Sequence, residues 1–525
     1  MPPAAAVAGG RRMRHISESM PSFTDDDLQA ALRVLAAIAA DRGALAAAPT
    51  ATREALQRLA GEVAGPDRAQ RRRLRKALAR RQRDDRRARD DAARRATGIQ
   101  QLRALPVFET PRTAQIAAPT LPPQGPEGES EAEERNFEED RKCYVCKQPY
   151  AVVHHFYDQL CPPCAALNFA KRTATVDLRG RVAVVTGARV KIGYQAAILL
   201  LRAGCTVVAC TRFPRDAARR YAAEADFATW RERLHVYGID LRRTPSVELL
   251  AQHLTQTLPR LDVQIHNACQ TVRRPPGFYA HLVDDEHAPL AALPEAARPL
   301  VARYERHRQE TPAQAPALLT QTASDADLLA AEASAEIFPR GVLDQDLQQV
   351  DLRTHNSWRL TLGEVPSLEL LEVLLVNAAA PFVMASKLKG LMTRQREAPP
   401  GSATSADPAK HIVMVSAMEG QFYRGHKTDK HPHTNMAKAA LNMLVRTSAI
   451  DYARDAIYLN AVDTGWVTDE DPAHLAARKA VAHRFTPPLD IVDGAARIVD
   501  PIVDGFTTGR HRCGFFFKDY APTPW

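Results

Sequence analysis

Two groups of residues in this 525-residue chain have types and spacings suited to chemistry. The first is "CYVCKQPYAVVHHFYDQLCPPC" (143–164), where Cys143, Cys146, Cys161 and Cys164 form two CxxC pairs separated by fourteen residues. Thiolates at this spacing match the two knuckles of a tetrahedral zinc site, and a small segment without its own core needs such a staple. His154 and His155 lie between the pairs, but four cysteines already close the coordination sphere, so the expected zinc is structural. A redox dithiol and unliganded cysteines are the alternatives. The second group follows the apolar strand "HIVMVSAMEG" (411–420), which carries Ser416. Downstream, the helix-like "HPHTNMAKAALNMLV" (431–445) places Lys438 among small and apolar neighbours. A hydroxyl and an ammonium near each other suit proton transfer at a carbonyl. One helical turn before Lys438 stands Thr434, whose hydroxyl is a weak acid for that task.

Such groups must be positioned by a scaffold, and the pattern from Asp177 onward supplies one. "GRVAVVTGARVKIGYQAAILLLRAG" (180–204) reads as strand, glycine-bearing turn and helix; "CTVVACTR", "RLHVYGIDLRR" and "LDVQIHNACQ" read as further strands. This is the βαβαβ pattern of an α/β, Rossmann-type, doubly wound parallel sheet, whose first turn brings phosphate oxygens to a helix N-terminus.

The chain from about Leu178 to Phe517 resembles the short-chain dehydrogenase/reductase family. The family's TGxxxGxG appears as "TGARVKIG" (186–193), with Thr186, Gly187 and Gly193 kept and Lys191 at the middle glycine. Its adenine-side aspartate matches Asp240, followed by Leu241, and its NNAG appears as "HNAC" with Asn267 and Ala268. The family's asparagine, serine and lysine match Asn377, Ser416 and Lys438, while its tyrosine is replaced by Thr434. "DTGWV" (463–467), with Gly465 and Val467, stands where the family closes a loop over the nicotinamide. The resemblance implies an NAD(P)-dependent oxidoreductase acting on a small-molecule substrate, a carbonyl or an activated C=C, with Ile192 beside the phosphates and Lys438 on the ribose. Arg189, Lys191 and Arg212 favour NADP over NAD, since an arginine after the second strand usually meets a 2′-phosphate. The missing tyrosine leaves three possibilities. The donor is relocated, with Tyr423 and the histidines 426, 431 and 433 in reach of the site; or the site binds cofactor as a sensor or scaffold; or the reaction needs no strong acid. His431 precedes Lys438 by seven residues, the tyrosine spacing of the family's enoyl-reductase branch. Asn267 and Asn377 lie 110 positions apart, which implies an insertion at about 272–360. It suits a lid or a partner surface, and Arg273 and Arg274 within it suit an anionic substrate.

Four regions are expected: a helical, basic extension (1–103), a Pro-rich, acidic linker (104–140), the four-cysteine segment (141–172), and the dinucleotide-binding body (173–525). Residues 66–95 hold fourteen Arg/Lys against five Asp, which accounts for the whole formal net charge of +9. That segment reads as a solvated helix laced with Arg–Asp pairs; a nucleic-acid, acidic-protein or membrane surface is the sharper alternative. No apolar run approaches a membrane span, and arginines follow the Ala-rich start in the wrong order for a secretory signal. A cytoplasmic, homo-oligomeric protein with no membrane partner is the expectation.

Overall fold

The computed structural model describes residues 23–111, 136–310, 336–394, 407–425 and 427–525. The chain divides into two compact units, Met1–Arg86 and Arg87–Trp525. In the first unit, a Thr24–Asp27 capping box opens α1 (Asp25–Ala40), and α2 (Thr50–Ala64) follows a short 3-10 turn. The helical spacing of Leu28, Leu32 and Leu35 is present, yet neither helix buries a residue. α3 (Arg68–Arg95) is the basic helix. Its Arg80–Asp84 and Arg81–Asp85 pairs, at 3.7 and 4.0 Å, are exposed and each worth only about 0.3–0.5 kcal/mol.

The second unit starts inside α3, which moves the expected boundaries. Arg94 meets the buried Asp158 at 3.0 Å, and the amides of Gly98 and Ile99 both donate at 2.9 Å to the carbonyls of His155 and Phe156. Arg103, in α4 (Gly98–Ala104), donates to Leu489 O at 2.9 Å. The acidic end of the expected linker is strand β1 (Asn136–Lys142), antiparallel to β2 (Pro149–Val152). The end of the basic helix, α4 and β1 are therefore parts of the cysteine module, not extension and linker. The module closes with α5 (Pro162–Lys171), which starts between the second pair of cysteines with proline in its first turn.

The body alternates strands and helices: β3 (Val182–Thr186), α6 (Lys191–Arg202), β4 (Thr206–Thr211), α7 (Pro214–Ala222), β5 (Leu234–Gly238), α8 (Thr244–Thr257) and β6 (Val263–His266). The insertion contributes α9 (Ala280–His287) and α10 (Arg298–Glu310). Then come α11 (Ser367–Leu374), a π-turn at Leu375–Ala379, α12 (Ala380–Thr393), β7 (Lys410–Ser416), α13 (Pro432–Ala453), β8 (Ile457–Asp463), α14 (Ala473–His483), α15 (Ile491–Thr508), β9 (Phe516–Lys518) and β10 (Ala521–Thr523). The strands form one sheet in the order β10-β9-β8-β7-β6-β3-β4-β5, parallel except for β10. Val182–Val185 are buried on both faces, as a central parallel strand requires. One core packs α6 and α15 against the sheet, and the other packs α8, α12 and α13. The strand order reverses between β3 and β6, where such sheets open a crevice at their carboxyl ends.

Ser367–Thr393 is 27 residues long and apolar enough to cross a membrane by length and composition. This corrects the expectation that no apolar run approaches a span; Val376, Met384, Leu388 and Leu391 are buried against the sheet, while Leu368, Leu371 and Phe382 are exposed. The insertion is more than a lid. Tyr304 of α10 packs on edge strand β5 so closely that a Cβ at Gly238 would meet its ring at 2.4 Å. Arg273 and Arg274 pair with Glu372 (3.1 Å) and Asp351 (2.8 Å), which corrects their expected role toward a substrate. The insertion also contains the apolar-periodic stretch "DADLLAAEASAEIF" (325–338), of which residues 325–335 lie outside the described residues.

The cysteine module is locked to the body by a buried ionic cluster. Arg172 Nη1 donates to Asp490 (2.7 Å) and Asp493 (2.8 Å), and Tyr157 Oη donates to Asp493 at 2.5 Å. Burial alone would raise Asp490, but Arg172 holds it below the ordinary carboxylate range; burial and Asp490 together push Asp493 up. Removing the guanidinium would strand two buried carboxylates. Arg172→Met is expected to cost about 3–5 kcal/mol. Urea unfolding of the full chain checks this, and a loss of under about 1 kcal/mol would show that the cluster does not hold the module.

Candidate active site

A cavity of about 920 Å³ opens at the carboxyl ends of the strands. Its first wall is the turn between β3 and α6. Gly187 has φ +68°, and a Cβ there would lie 2.8 Å from Ala268 Cα; one at Gly193 would lie 2.2 Å from Asn267 Nδ2. Asn267 Nδ2 donates at 3.2 Å to the carbonyls of both Thr186 and Gly187, and Thr186 Oγ1 accepts the Ala268 amide at 3.1 Å. Thr186 therefore braces the turn from behind, while Gly187, Ile192, Gly193, Asn267 and Ala268 face the cavity. Lys191 takes φ +56°, the left-handed backbone that a glycine adopts freely. The departure from the family's glycine thus keeps the glycine's conformation, and its ammonium lies 4.0 Å from Asp346.

The end of the cavity beside β4 and β5 is richer in pairing than the sequence suggests. Arg189 is buried and donates to Asp216 at 2.7 Å, so its charge is already matched. Asp240 is gripped by Arg242 at 2.7 Å, and both line the cavity beside Leu241. Arg212 lies 4.4 Å over the ring of Tyr279, which the insertion supplies. Burial alone would raise the Tyr279 phenol, but Arg212 and Arg274 bring it below its ordinary value.

At the opposite end, Ser416, Thr434, Lys438, Gly465 and Val467 share the cavity wall with His431. Ser416 Oγ donates to Asn442 Oδ1 at 2.5 Å, and Lys438 Nζ donates to Val415 O at 2.7 Å. Thr434 Oγ1 is buried without a hydrogen-bond partner. Asn377 sits in the π-turn, where its amide grips both backbone groups of Gln270 (2.7 and 3.3 Å). It positions the strand-end loop and lies behind the wall. His431, with φ +42° and ψ +48°, stacks its ring on Trp358 of the insertion at 3.9 Å and 6°. Tyr423 is exposed and outside the wall, and His433 is buried 3.6 Å from Glu369. Position 426 lies outside the described residues. Of the candidate replacements for the tyrosine, the cavity wall holds His431.

The four cysteines also converge. Their sulfur atoms all lie within 4.8 Å of one another, with Cys146 and Cys161 at 3.6 Å. A tetrahedral zinc with Zn–S of about 2.3 Å places its sulfurs about 3.8 Å apart, so the cluster fits that ion.

A family model described as short chain dehydrogenase matches residues 181–285. The uncharacterized protein R665 of Acanthamoeba polyphaga mimivirus is 31% identical over 375 residues, covering 69% of this chain and 71% of that protein. The chain belongs to the short-chain dehydrogenase/reductase family. Among other relatives, dehydrogenase/reductase SDR family member 13 of Bos taurus is 35% identical over 118 residues, 22% of this chain and 29% of its own length. The solved RhlG/NADP active-site complex of Pseudomonas aeruginosa is 18% identical with a TM-score of 0.39, covering 65% of this chain and 95% of that one.

Within this family member, sequence reasoning missed Tyr144, Tyr279 and Trp358 in the wall and Asn442 behind Ser416. Tyr144 had a signal, an aromatic residue inside a CxxC; the others sit in the insertion or mid-helix with none. Asp463 has a further consequence. It ends β8 in register with Ser416, lines the cavity, and accepts the Gly465 amide at 3.2 Å. Burial and then Glu419 push its carboxyl up to about 6, with Lys518 opposing and Asp519 adding to the shift. The folded chain thus holds a proton that the unfolded chain releases from about pH 4, and stability falls as pH rises through about 4–6. Asp463→Asn removes that dependence. It is expected to stabilise the chain by about 1–3 kcal/mol at pH 7.5, with the advantage gone near pH 4. Paired urea melts at the two pH values check this.

Proposed function

We propose that the protein is an NADP(H)-dependent oxidoreductase that reduces a carbonyl or activated C=C of a small substrate, with His431 in the proton-donor place. One observation carries this reading: the glycine turn, Arg212, Ser416, Lys438 and His431 all line a single cavity. When bound, the dinucleotide supplies the hydride. The α6 N-terminus and the turn amides would hold its phosphates, and Arg212 would meet the 2′-phosphate. Lys438 meets the ribose, Ser416 polarises the substrate oxygen, and Thr434 orients substrate or water. His431 holds the proton that this oxygen takes. Burial lowers the imidazole's pKa from its ordinary value, so the proton-bearing form grows toward acid. A cofactor-binding sensor is the second reading, favoured by the partnerless Thr434 hydroxyl and by Lys438 being held on Val415 O.

Fluorescence titration with NADPH and NADH is the first test, with NADPH expected to bind tighter. Arg212→Ala should weaken NADPH by roughly 10- to 100-fold and NADH little, the loss of one charge-assisted contact. NADPH oxidation against carbonyl and enoyl substrates should rise as pH falls below about 6.5 and drop at least about 100-fold in His431→Gln. Binding without turnover would select the sensor, and binding of neither nucleotide would sink both readings.

The cysteine cluster is proposed to hold one structural zinc. Phe382, Met436, Met443 and Ile450 leave α12 and α13 with an exposed apolar face, which is proposed to pair two copies of the chain. Native mass spectrometry tests both ideas at once. The expected species has twice the 57.8 kDa chain mass and carries two zinc ions. A metal-free or monomeric species would refute the corresponding half.

A further inference from the structure

The cysteine module does more than sit beside the body; it forms part of the cavity wall. Cys143 and Cys146 bracket Tyr144, and Tyr144 and Lys147 both line the cavity. The Tyr144 backbone is pinned on both sides, its amide donating to Gln159 O at 2.9 Å and its carbonyl accepting from Lys147 Nζ. Its side chain leaves the knuckle toward β8, where Tyr144 Oη accepts the Trp466 amide at 2.9 Å. The backbone beside Trp466 and its packing on Leu489 favour the neighbouring glycine. Gly465 has φ +76°, and a Cβ there would lie 2.6 Å from Leu489 Cδ1 and 3.4 Å from Tyr144 Oη.

Trp466 is held from its other side as well, since its carbonyl accepts the Leu489 amide at 3.3 Å. Leu489 precedes Asp490, which Arg172 of the module grips. Val467 and Leu489 also belong to the apolar core that contains Tyr157, Leu160, Cys143 and Cys161, with Ile192 of the phosphate turn packed on it. The knuckle therefore bonds to the Gly465–Thr468 segment and shares one apolar core with Ile192.

We propose that Tyr144 is a positioning residue for the dinucleotide, and that metal occupancy of the four-cysteine cluster sets cofactor affinity through it. Tyr144 fixes the Gly465–Thr468 segment that meets the nicotinamide half, and the metal fixes the Cys143–Cys146 turn that carries Tyr144. This rests on the dinucleotide and zinc readings given above. It makes the zinc a determinant of the active-site wall as well as a fold staple.

The test uses the full-length chain and two ligands, NADPH and 2′-phospho-ADP-ribose, which lacks the nicotinamide, measured by calorimetry. Tyr144→Phe removes one hydroxyl and keeps the ring. It should weaken NADPH about three- to tenfold, the equivalent of one hydrogen bond, while the fragment binds as in wild type and metal content is unchanged. Metal removal by chelation under reducing conditions should give the same selective loss, and Tyr144→Phe should add little to it. Wild-type affinity for NADPH in Tyr144→Phe, or full affinity in the metal-free chain, would overturn the proposal. So would equal losses for both ligands, which a merely structural role would give. If the wild-type chain binds neither ligand, the dinucleotide reading itself fails and this proposal falls with it.

Discussion

One guanidinium, that of Arg172, sits between two buried carboxylates, and much of the architecture around the cavity follows from it. A charge so far from water is tolerable only when its partners supply what solvent would. Asp490 and Asp493 do so, and they are also the N-cap and third residue of α15, joined by their own capping box. The same two side chains therefore start a core helix of the sheet and anchor the cysteine module. Because Asp490 follows the Leu489 that braces Trp466, the anchor is mechanically next to the Gly465–Thr468 segment of the cavity wall. Arg497, one turn further along α15, is likewise buried and donates to the amide oxygen of Asn168 at 2.6 Å and to Asp519 at 3.2 Å.

This arrangement gives a physical reason for fusing a small cysteine module to a dinucleotide-binding sheet. In a parallel sheet the loops beyond the strand ends carry function and have few contacts of their own. Here the Gly465–Thr468 segment is clamped by a residue from a knuckle that a metal can rigidify. The insertion contributes at both ends of the cavity: Tyr279 sits on Arg212 at one, and Trp358 stacks on His431 at the other. Two segments distant in sequence thus furnish the walls, while the sheet furnishes the floor.

Much of this was legible in the residues. The strand–turn–helix patterns from β3 to β8 follow from apolar periodicity, and Gly187, Gly193 and Asn267 stood out by resemblance to the family's motifs. The CxxC pairs announced a four-sulfur cluster. Less legible were the boundaries near the module: "ARRATGIQQLRA" reads as more of a basic extension, yet Arg94, Gly98 and Arg103 all bond to the module or the body. An arginine looks the same in sequence whether it faces water or a buried aspartate. The same ambiguity hid the commitments of Arg189 to Asp216 and of Arg273 and Arg274 to carboxylates.

What the sequence determined by itself was local and periodic: the alternation of strands and helices, the phosphate turn, the paired cysteines, and the absence of tyrosine four residues before Lys438. These depend on spacing along the chain, so spacing reveals them. What only the tertiary structure decided was which distant side chains share a wall. It placed Tyr144 against Trp466 across 322 residues, left Tyr423 outside the cavity, and set His431 on Trp358 within it. Contacts between residues so far apart leave no periodic trace, because they are fixed by how the module, the insertion and the sheet pack together.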